Sequence, residues 1–229
     1  MDFTLNDDQG AVVDAIDKLA RQFDTKPTDF DGFALYSAEL EHALVESGYF
    51  DIATFPEMGP LTAALAVERL ARSPFTCEAA LSMLLRHHLG EDLPRPVAIV
   101  EDGRPGRFVA GAKSVLVIDG ERMRLVHPEA SDTRIVESIY AYPMGELVAD
   151  LPGRELSTGE AENVRTWLRV ACAAEIAGLM QASLDATIEH LGVRKQFGRP
   201  LGTFQALRHR MAECAVLVGG VRRLALRAA

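Results

Sequence analysis

The feature that most constrains the fold is a row of apolar residues at every fourth position between residues 164 and 188. Four residues overshoot a helical turn by about 40°, so the row winds around the helix instead of following one face. This pattern predicts one long helix buried inside a bundle. Its members are Val164, Leu168, Cys172, Ile176, Met180, Leu184 and Ile188.

A second long helix is predicted from Phe204 to Leu224, where the apolar residues form a one-sided stripe. Gly198 and Pro200 separate the two helices, because both residue types stop a helix and turn the chain. No Gly or Pro closes the second helix before the last residue, so we expect the C-terminal bundle, residues 158–229, to be truncated.

Residues 1–92 are predicted to form an N-terminal helical domain. Asn6 is a candidate N-cap for a first helix with acids in its first turn. A second helix is expected from Phe33 to about Val45, ending at Gly48. Two further stretches have the helical period, "LTAALAVERLAR" and "CEAALSMLLRHHL".

Residues 93–157 change in character and predict a small antiparallel β domain. Short runs rich in Val and Ile alternate with the turn sequences "DGRPG" and "IDGE", which are typical of hairpins. About four to six strands are expected. The predicted fold class is α+β and mostly α: a helical domain, a small sheet domain and a helical bundle.

The charge is unevenly distributed along the chain. Residues 194–229 contain eight Lys and Arg against one acid, Glu213, whereas the chain as a whole has a net charge of −9. This asymmetry favours an anionic ligand or an acidic partner over nucleic acid, because the acidic remainder would repel a phosphate backbone. A merely solvated basic helix face is the alternative.

Other classes of site and location are not expected. The chain has no apolar run of about 18 residues and no secretion signal, so we expect a cytoplasmic protein without a membrane span. The three cysteines are interpreted as reduced core residues, and His87 and His88 as partly exposed residues, with no metal site.

The stretch "RKQFGRP", residues 194–200, carries the clearest chemical signal. Arg194 offers a fork of donors to a phosphate, Gln196 offers an amide, and Phe197 offers an apolar face to a ring. A flat anionic ligand such as a nucleotide cofactor would use all three. Arginines near helix ends also serve as simple caps, which is the alternative interpretation.

Residues 173–213, "AAEIAGLMQASLDATIEHLGVRKQFGRPLGTFQALRHRMAE", closely resemble the helix-loop-helix of the acyl-CoA dehydrogenase family. The family pattern falls on Arg194, Phe197, Gly198, Leu201 and Gln205. Residues 43–74 and 108–119 are similar to further segments of that family. The resemblance implies that Arg194, Gln196, Phe197 and Gln205 contact the adenine and pyrophosphate half of an FAD held mainly by a neighbouring subunit.

The chain also departs from the family pattern. The segment "RPVAIVEDGRPGR" stands where the resemblance places a flavin-holding loop. Arg169 matches the arginine that follows the family's early catalytic carboxylate, but Leu168 precedes it, and the late carboxylate position falls beyond residue 229. Glu175 and Asp185 are expected to be surface or structural acids. No catalytic residue is therefore predicted.

Together these features predict a subunit of a heteromeric FAD-dependent acyl-CoA dehydrogenase that performs alpha,beta-dehydrogenation of an acyl-CoA thioester. The resemblance extends to steroid-degrading alpha-2 beta-2 enzymes, which implies a second acyl-CoA dehydrogenase-like chain that brings most of the flavin site and the base. An electron-transfer flavoprotein or a similar acceptor would take the electrons. Two alternatives stay open: a scaffold subunit that binds no cofactor, and a self-sufficient enzyme with an unfamiliar base.

Overall fold

The structure, a computed structural model, describes residues 5–23, 35–74, 77–90, 92–138 and 142–229. Within them the fold is mostly helical with a small β region. The helices are α1 (Asp7–Gln22), α2 (Ala38–Glu46), α3 (Gly59–Leu70), α4 (Ala80–Leu84), α5 (Arg86–Leu89), α6 (Thr158–Val193) and α7 (Gln205–Ala228). The strands are β1 (Val97–Glu101), β2 (Gly106–Arg107), β3 (Ser114–Asp119), β4 (Arg122–Val126), β5 (Thr133–Ile135), β6 (Met144–Leu147), β7 (Arg154–Glu155), β8 (Lys195–Gln196) and β9 (Arg199–Pro200).

The N-terminal helices begin at side-chain caps. Asn6 caps α1 as predicted, since its side chain accepts a 2.7 Å hydrogen bond from the Gln9 amide. The predicted start of the second helix at Phe33 lies outside the described residues. Within the described residues α2 begins at Ala38, because the Ser37 hydroxyl caps the helix by accepting a hydrogen bond from the Leu40 amide. The stretch predicted as one helix over residues 77–89 is divided into α4 and α5 at Leu85.

The β region contains two small sheets, with strand orders β1-β3-β4-β7 and β2-β6-β5. The prediction of a wholly antiparallel domain is wrong for one pair, because β1 and β3 are parallel. Between them the chain crosses to the second sheet through β2, so it re-enters the first sheet in its original direction. "DGRPG" therefore does not close a hairpin. "IDGE" does, with Gly120 at φ 58° between β3 and β4.

Helix α6 supports both of the other regions. Near its middle, Val170 and Ala174 are buried in the core formed with α1 to α4, and nearer its start Val164 packs on the four-stranded sheet. At Gly178 the backbones of α3 and α6 approach so closely that a Cβ atom would lie 2.2 Å from the Glu68 carbonyl oxygen. Helix α6, which leads into the segment before α7, is therefore packed tightly against α3.

The second half of α6 is not enclosed, which corrects the expectation of a helix buried on all sides. Ile176 and Ile188 are 49% and 48% exposed, although Val164 in the same apolar row is fully buried. The cysteines need a similar correction, since Cys77 is buried whereas Cys172 is exposed and Cys214 is half-buried. None of the helices in the described ranges is long and apolar enough to cross a membrane.

Candidate functional site

The segment between α6 and α7 folds as a short two-stranded hairpin, residues 194–205, which we call the arm. Helix α6 ends at Val193, and Arg194 is its C-cap, with an extended backbone and an amide that donates to the His190 carbonyl at 2.9 Å. The Arg194 carbonyl accepts from the Leu201 amide at 2.8 Å, which holds the base of the hairpin together. Strands β8 and β9 then pair in antiparallel register.

The turn of the hairpin consists of Phe197 and Gly198, which both have positive φ angles, 55° and 79°. Two successive residues in this conformation characterise a type I′ turn, where Asn and Gly are the usual residues. Phenylalanine is unfavourable there because its Cβ crowds the backbone. Its ring is also 89% exposed. The fold thus presents a large apolar ring to solvent on a strained backbone.

The structure brings all four predicted cofactor-binding residues to this joint. Arg194 and Gln196 are two residues apart in an extended segment, so their side chains leave the same side of it. Gln205 is the first residue of α7, and its side-chain amide lies 3.5 Å from His209 Nε2. Each of the four, Phe197 included, is exposed. No carboxylate in the described part of the chain forms an ion pair with Arg194.

Sequence reasoning missed two residues of the arm, Arg199 and Phe204. The Arg199 guanidinium lies 4.2 Å from the centre of the Phe204 ring, and that ring meets Phe197 edge-on at 6.1 Å. Such contacts are favourable cation–π and aromatic pairs. The aromatic spacing in "FGRPLGTF" was the available signal, but only the hairpin turn brings the three side chains together.

A second polar cluster lies in the crevice between β2 and α6. Arg107 donates two hydrogen bonds to the Glu175 carboxylate, at 3.0 and 2.6 Å, and its guanidinium lies 4.5 Å from the centre of the Tyr142 ring. The paired arrangement joins the sheet region to the long helix. Glu175, which was expected to be a surface or structural acid, forms this ion pair. Asp185, for which the expectation was the same, is exposed and accepts a hydrogen bond from Gln181.

The crevice encloses a cavity of about 200 Å³ lined by Glu78, Phe108 and Cys172 among others. Burial raises the pKa of Glu78, and hydrogen bonds to its carboxylate oppose that rise only in part. The carboxylate accepts from the amides of Leu81, Ser82 and Val97, so it caps α4 and ties it to β1. Both carboxylates at this cavity are thus committed to partners within the chain.

The arm and its two helices match a known protein family. The family model "Acyl-CoA dehydrogenase, C-terminal domain" matches residues 161–229. Butyryl-CoA dehydrogenase from Megasphaera elsdenii has the same fold over 99% of this chain and 80% of its own, with a TM-score of 0.73 at 15% identity. Residues 161–229 thus match the C-terminal domain of acyl-CoA dehydrogenases, and the chain as a whole has the fold of that solved enzyme.

Two curated members of the family are similar in sequence. Acyl-CoA dehydrogenase IpdE2 of Mycolicibacterium smegmatis is 38% identical over 76 residues, which is 33% of this chain and 24% of that protein. Glutaryl-CoA dehydrogenase of Desulfococcus multivorans is 36% identical over 99 residues, 39% of this chain and 25% of that protein. The aligned segments thus span only about a quarter of the length of these relatives.

The solved structures with this fold also include one described as a complex and one described as a steroid ACAD. The ChsE4-ChsE5 complex from Mycobacterium tuberculosis superposes over 99% of this chain and 78% of the solved one, with a TM-score of 0.70 and 18% identity. A variant of the steroid ACAD Tcur3481-Tcur3483 superposes over 96% of this chain and 77% of the solved one, with a TM-score of 0.72 and 20% identity. At these identities the likeness concerns the fold.

The residues of the arm fit one half of the family's cofactor, FAD. An adenine ring needs an exposed flat apolar surface, which Phe197 provides, and a pyrophosphate needs unpaired cations, which Arg194 and Lys195 provide. The crevice fits the flavin half less well, because the Arg107–Glu175 pair closes it and the remaining cavity is small. The donor set of this chain therefore suits the adenine side.

Proposed function

We propose that this chain is one subunit of a heteromeric FAD-dependent acyl-CoA dehydrogenase that performs alpha,beta-dehydrogenation of an acyl-CoA thioester. A second acyl-CoA dehydrogenase-like chain, in an alpha-2 beta-2 assembly, would hold most of the flavin and provide the catalytic base. We assign a steroid-derived acyl group as substrate by analogy with the similar steroid ACAD. An electron-transfer flavoprotein or a similar acceptor is the partner class that the family resemblance implies.

The proposal rests on the exposure and the backbone strain of residues in the arm. An 89% exposed Phe197 on a positive-φ backbone is costly to this chain, and Arg194 beside it has no ion-pair partner in the described residues. Strained residues of this kind concentrate at ligand sites, because only binding compensates for them. A scaffold would need the apolar helix faces but not this polar and aromatic set.

In the proposed complex, Arg194 and Gln196 bind the pyrophosphate with charged and neutral hydrogen bonds. Phe197 packs against the adenine ring, and Gln205 at the start of α7 supplies a further amide to the same half of the cofactor. When bound, FAD would supply the two-electron acceptor that thioester dehydrogenation requires. This chain would thus orient the cofactor, while proton removal would belong to the partner.

The test is flavin retention in the complex formed by co-expressing this chain with neighbouring acyl-CoA dehydrogenase-like gene products. We expect a visible flavin band only with a partner, at about one FAD per pair of chains. Arg194→Ala should weaken flavin retention by about 1.5 to 3 kcal/mol, since it removes a hydrogen bond to a charged group. Arg104→Ala, at an exposed arginine in the turn after β1, is the matched control and should leave retention unchanged.

Three other results would count against the proposal in different ways. Unchanged retention in Arg194→Ala would remove the role of the arm. Stoichiometric flavin in this chain alone would favour the self-sufficient enzyme. A stable complex without flavin in any combination would favour the scaffold.

A further inference from the structure

The hairpin of the arm places a further cation on the face that carries Arg194 and Gln196. Strands β8 and β9 pair Gln196 directly with Arg199, and Lys195 with Pro200. Directly opposed residues of an antiparallel pair point their side chains to the same face, and neighbours along a strand point to opposite faces. Arg194, Gln196 and Arg199 therefore share one face of the hairpin, whereas Lys195 leaves the other.

The Arg199 side chain is held in place by an aromatic ring. Its guanidinium carbon lies 4.2 Å from the centre of the Phe204 ring, which is half-buried where the hairpin meets α7. A guanidinium that stacks on a ring uses its flat face for the contact and keeps the N–H donors at its edge free. Phe204 therefore restricts the side chain without occupying the donors that bind an anion.

The two arginines on this face have no counter-charge within the described parts of the chain. Neither Arg194 nor Arg199 forms an ion pair with a carboxylate there. Diagonal neighbours across a strand pair are about 7 to 8 Å apart, so the two guanidinium groups repel each other. An anion bound between them relieves this repulsion and accepts charged hydrogen bonds from both.

The arrangement is local to the arm. The paired residues, the turn and the stacked ring all fall between residues 194 and 204. They lie at the start of α7, about 35 Å of helix away from residue 229. The positions of the three polar side chains are thus set by the hairpin itself.

We propose that Arg199 is a second phosphate ligand of the arm, so that Arg194 and Arg199 together bind the two phosphates of the FAD pyrophosphate. Phe204 is then a positioning residue, because it acts through Arg199. This inference rests on the proposed function for the identity of the cofactor. It adds a ligand that the sequence resemblance did not select, and it makes the diphosphate the group that the arm recognises most strongly.

The test compares two probes, ADP and adenosine, which share the adenine and the ribose and differ in the diphosphate. Each is titrated as a competitor of FAD rebinding to the co-expressed complex after its flavin has been removed, and flavin fluorescence follows the competition. Arg199→Gln should weaken ADP binding by at least about tenfold, because a hydrogen-bonded charge pair is lost. Adenosine binding should stay unchanged, whereas a distorted hairpin would weaken both probes alike.

Two variants are the matched controls. Lys195→Gln removes the same charge from the opposite face of the hairpin, so it should weaken ADP binding by no more than about threefold. Arg199→Lys keeps the charge but loses the planar fork of donors. It should recover part of the ADP affinity that Arg199→Gln loses.

Equal losses of ADP affinity in Arg199→Gln and Lys195→Gln would overturn the inference, since the effect would then be one of net charge. Normal ADP binding in Arg199→Gln, or an equal loss of ADP and adenosine, would overturn it as well. The proposed function is tested separately by flavin retention. If Arg194→Ala loses flavin and Arg199→Gln binds ADP normally, only the inference fails; if no complex binds flavin, both fail.

Discussion

At the scale of the residue, His88 shows how packing determines the charge of a side chain. Its ring stacks on Trp167 with the ring centres 4.7 Å apart, and its Nδ1 lies 3.2 Å from the Asn163 amide nitrogen, which donates to it. The proton is then on Nε2, which is buried without a hydrogen-bond partner in the described residues. Burial and, to a smaller extent, the neighbouring His87 together lower the pKa of His88 to about 4.

This environment predicts a loss of stability in acid. In the unfolded chain a histidine has a pKa of about 6.5. Between about pH 6.5 and pH 4 the unfolded chain therefore binds a proton at this position that the folded chain does not, so the free energy of unfolding falls as the pH falls through that window. Above it the contribution is fully present. His88→Phe, which keeps the stacking and cannot titrate, should lose less stability between pH 7 and pH 5 in urea unfolding.

His42→Gln is the control for that experiment, because His42 is an exposed histidine whose one ion pair among the described residues is with Glu46. It should keep the loss of stability seen in the unmodified chain. Part of the loss should also persist in His88→Phe, since burial lowers the pKa of His87 as well. Identical pH dependence of His88→Phe and the unmodified chain would show that His88 is not the responsible group.

At the scale of the element, the arm contains a conflict between local preference and exposure. A type I′ turn favours Asn-Gly, yet the turn here is Phe197-Gly198. Phe197→Asn should raise the free energy of unfolding of the free chain by about 0.5 to 1 kcal/mol, because it relieves backbone strain and removes an exposed ring. The same change should reduce flavin retention in the complex. Urea unfolding and flavin content per chain would measure the two effects.

Phe197→Tyr is the matched control, since it keeps an aromatic ring and the backbone strain. Its stability and its flavin retention should both stay close to those of the unmodified chain. A Phe197→Asn chain that retains flavin normally would show that the ring has no part in binding. A loss of stability in Phe197→Asn would show that the Phe197 ring stabilises the free chain by packing within it.

At the scale of the whole molecule, a cluster of ion pairs around one buried carboxylate connects three helices. Glu68 of α3 is 1% exposed and forms ion pairs with Arg72, which lies just after α3, and, at 3.3 Å, with Arg222 of α7. Its neighbour Arg69 pairs with Asp17 of α1 at 3.0 Å. The cluster therefore connects α7 to the N-terminal helices, which are distant in sequence.

Arg222→Ala should loosen this connection. Removing one of the cations around a buried carboxylate leaves part of its charge uncompensated, which costs on the order of 1 to 2 kcal/mol at a partly exposed partner. Hydrogen exchange of the α7 amides should become faster by about tenfold in consequence. Arg223→Ala changes an exposed neighbour without an ion pair in the described residues and should leave exchange unchanged. If the α7 amides exchanged at the same rate in Arg222→Ala and Arg223→Ala, apolar packing alone would hold α7 in place.

Much of the helical structure could be predicted because it depends on residues close in sequence. Asn6 with Gln9 and Ser157 with Glu160 form capping boxes that set where α1 and α6 begin. Gly48, with a φ of 70°, turns the chain after the end of α2. Arg194, Gln196 and Phe197 drew attention by their side-chain chemistry, and the resemblance to a family pattern then selected them together with Gln205.

The tertiary structure decided what depends on residues far apart. The parallel pairing of β1 with β3 follows from the path of the chain through a second sheet, and the Arg107–Glu175 pair joins residues 68 positions apart. Periodicity could not show that α6 is enclosed at Val164 and open at Ile188, because an apolar row is the same whichever neighbours cover it. The sequence by itself determined the helices, their caps and the residues of the arm; packing determined their exposure, and with it the surfaces on which the proposed partner and cofactor would bind.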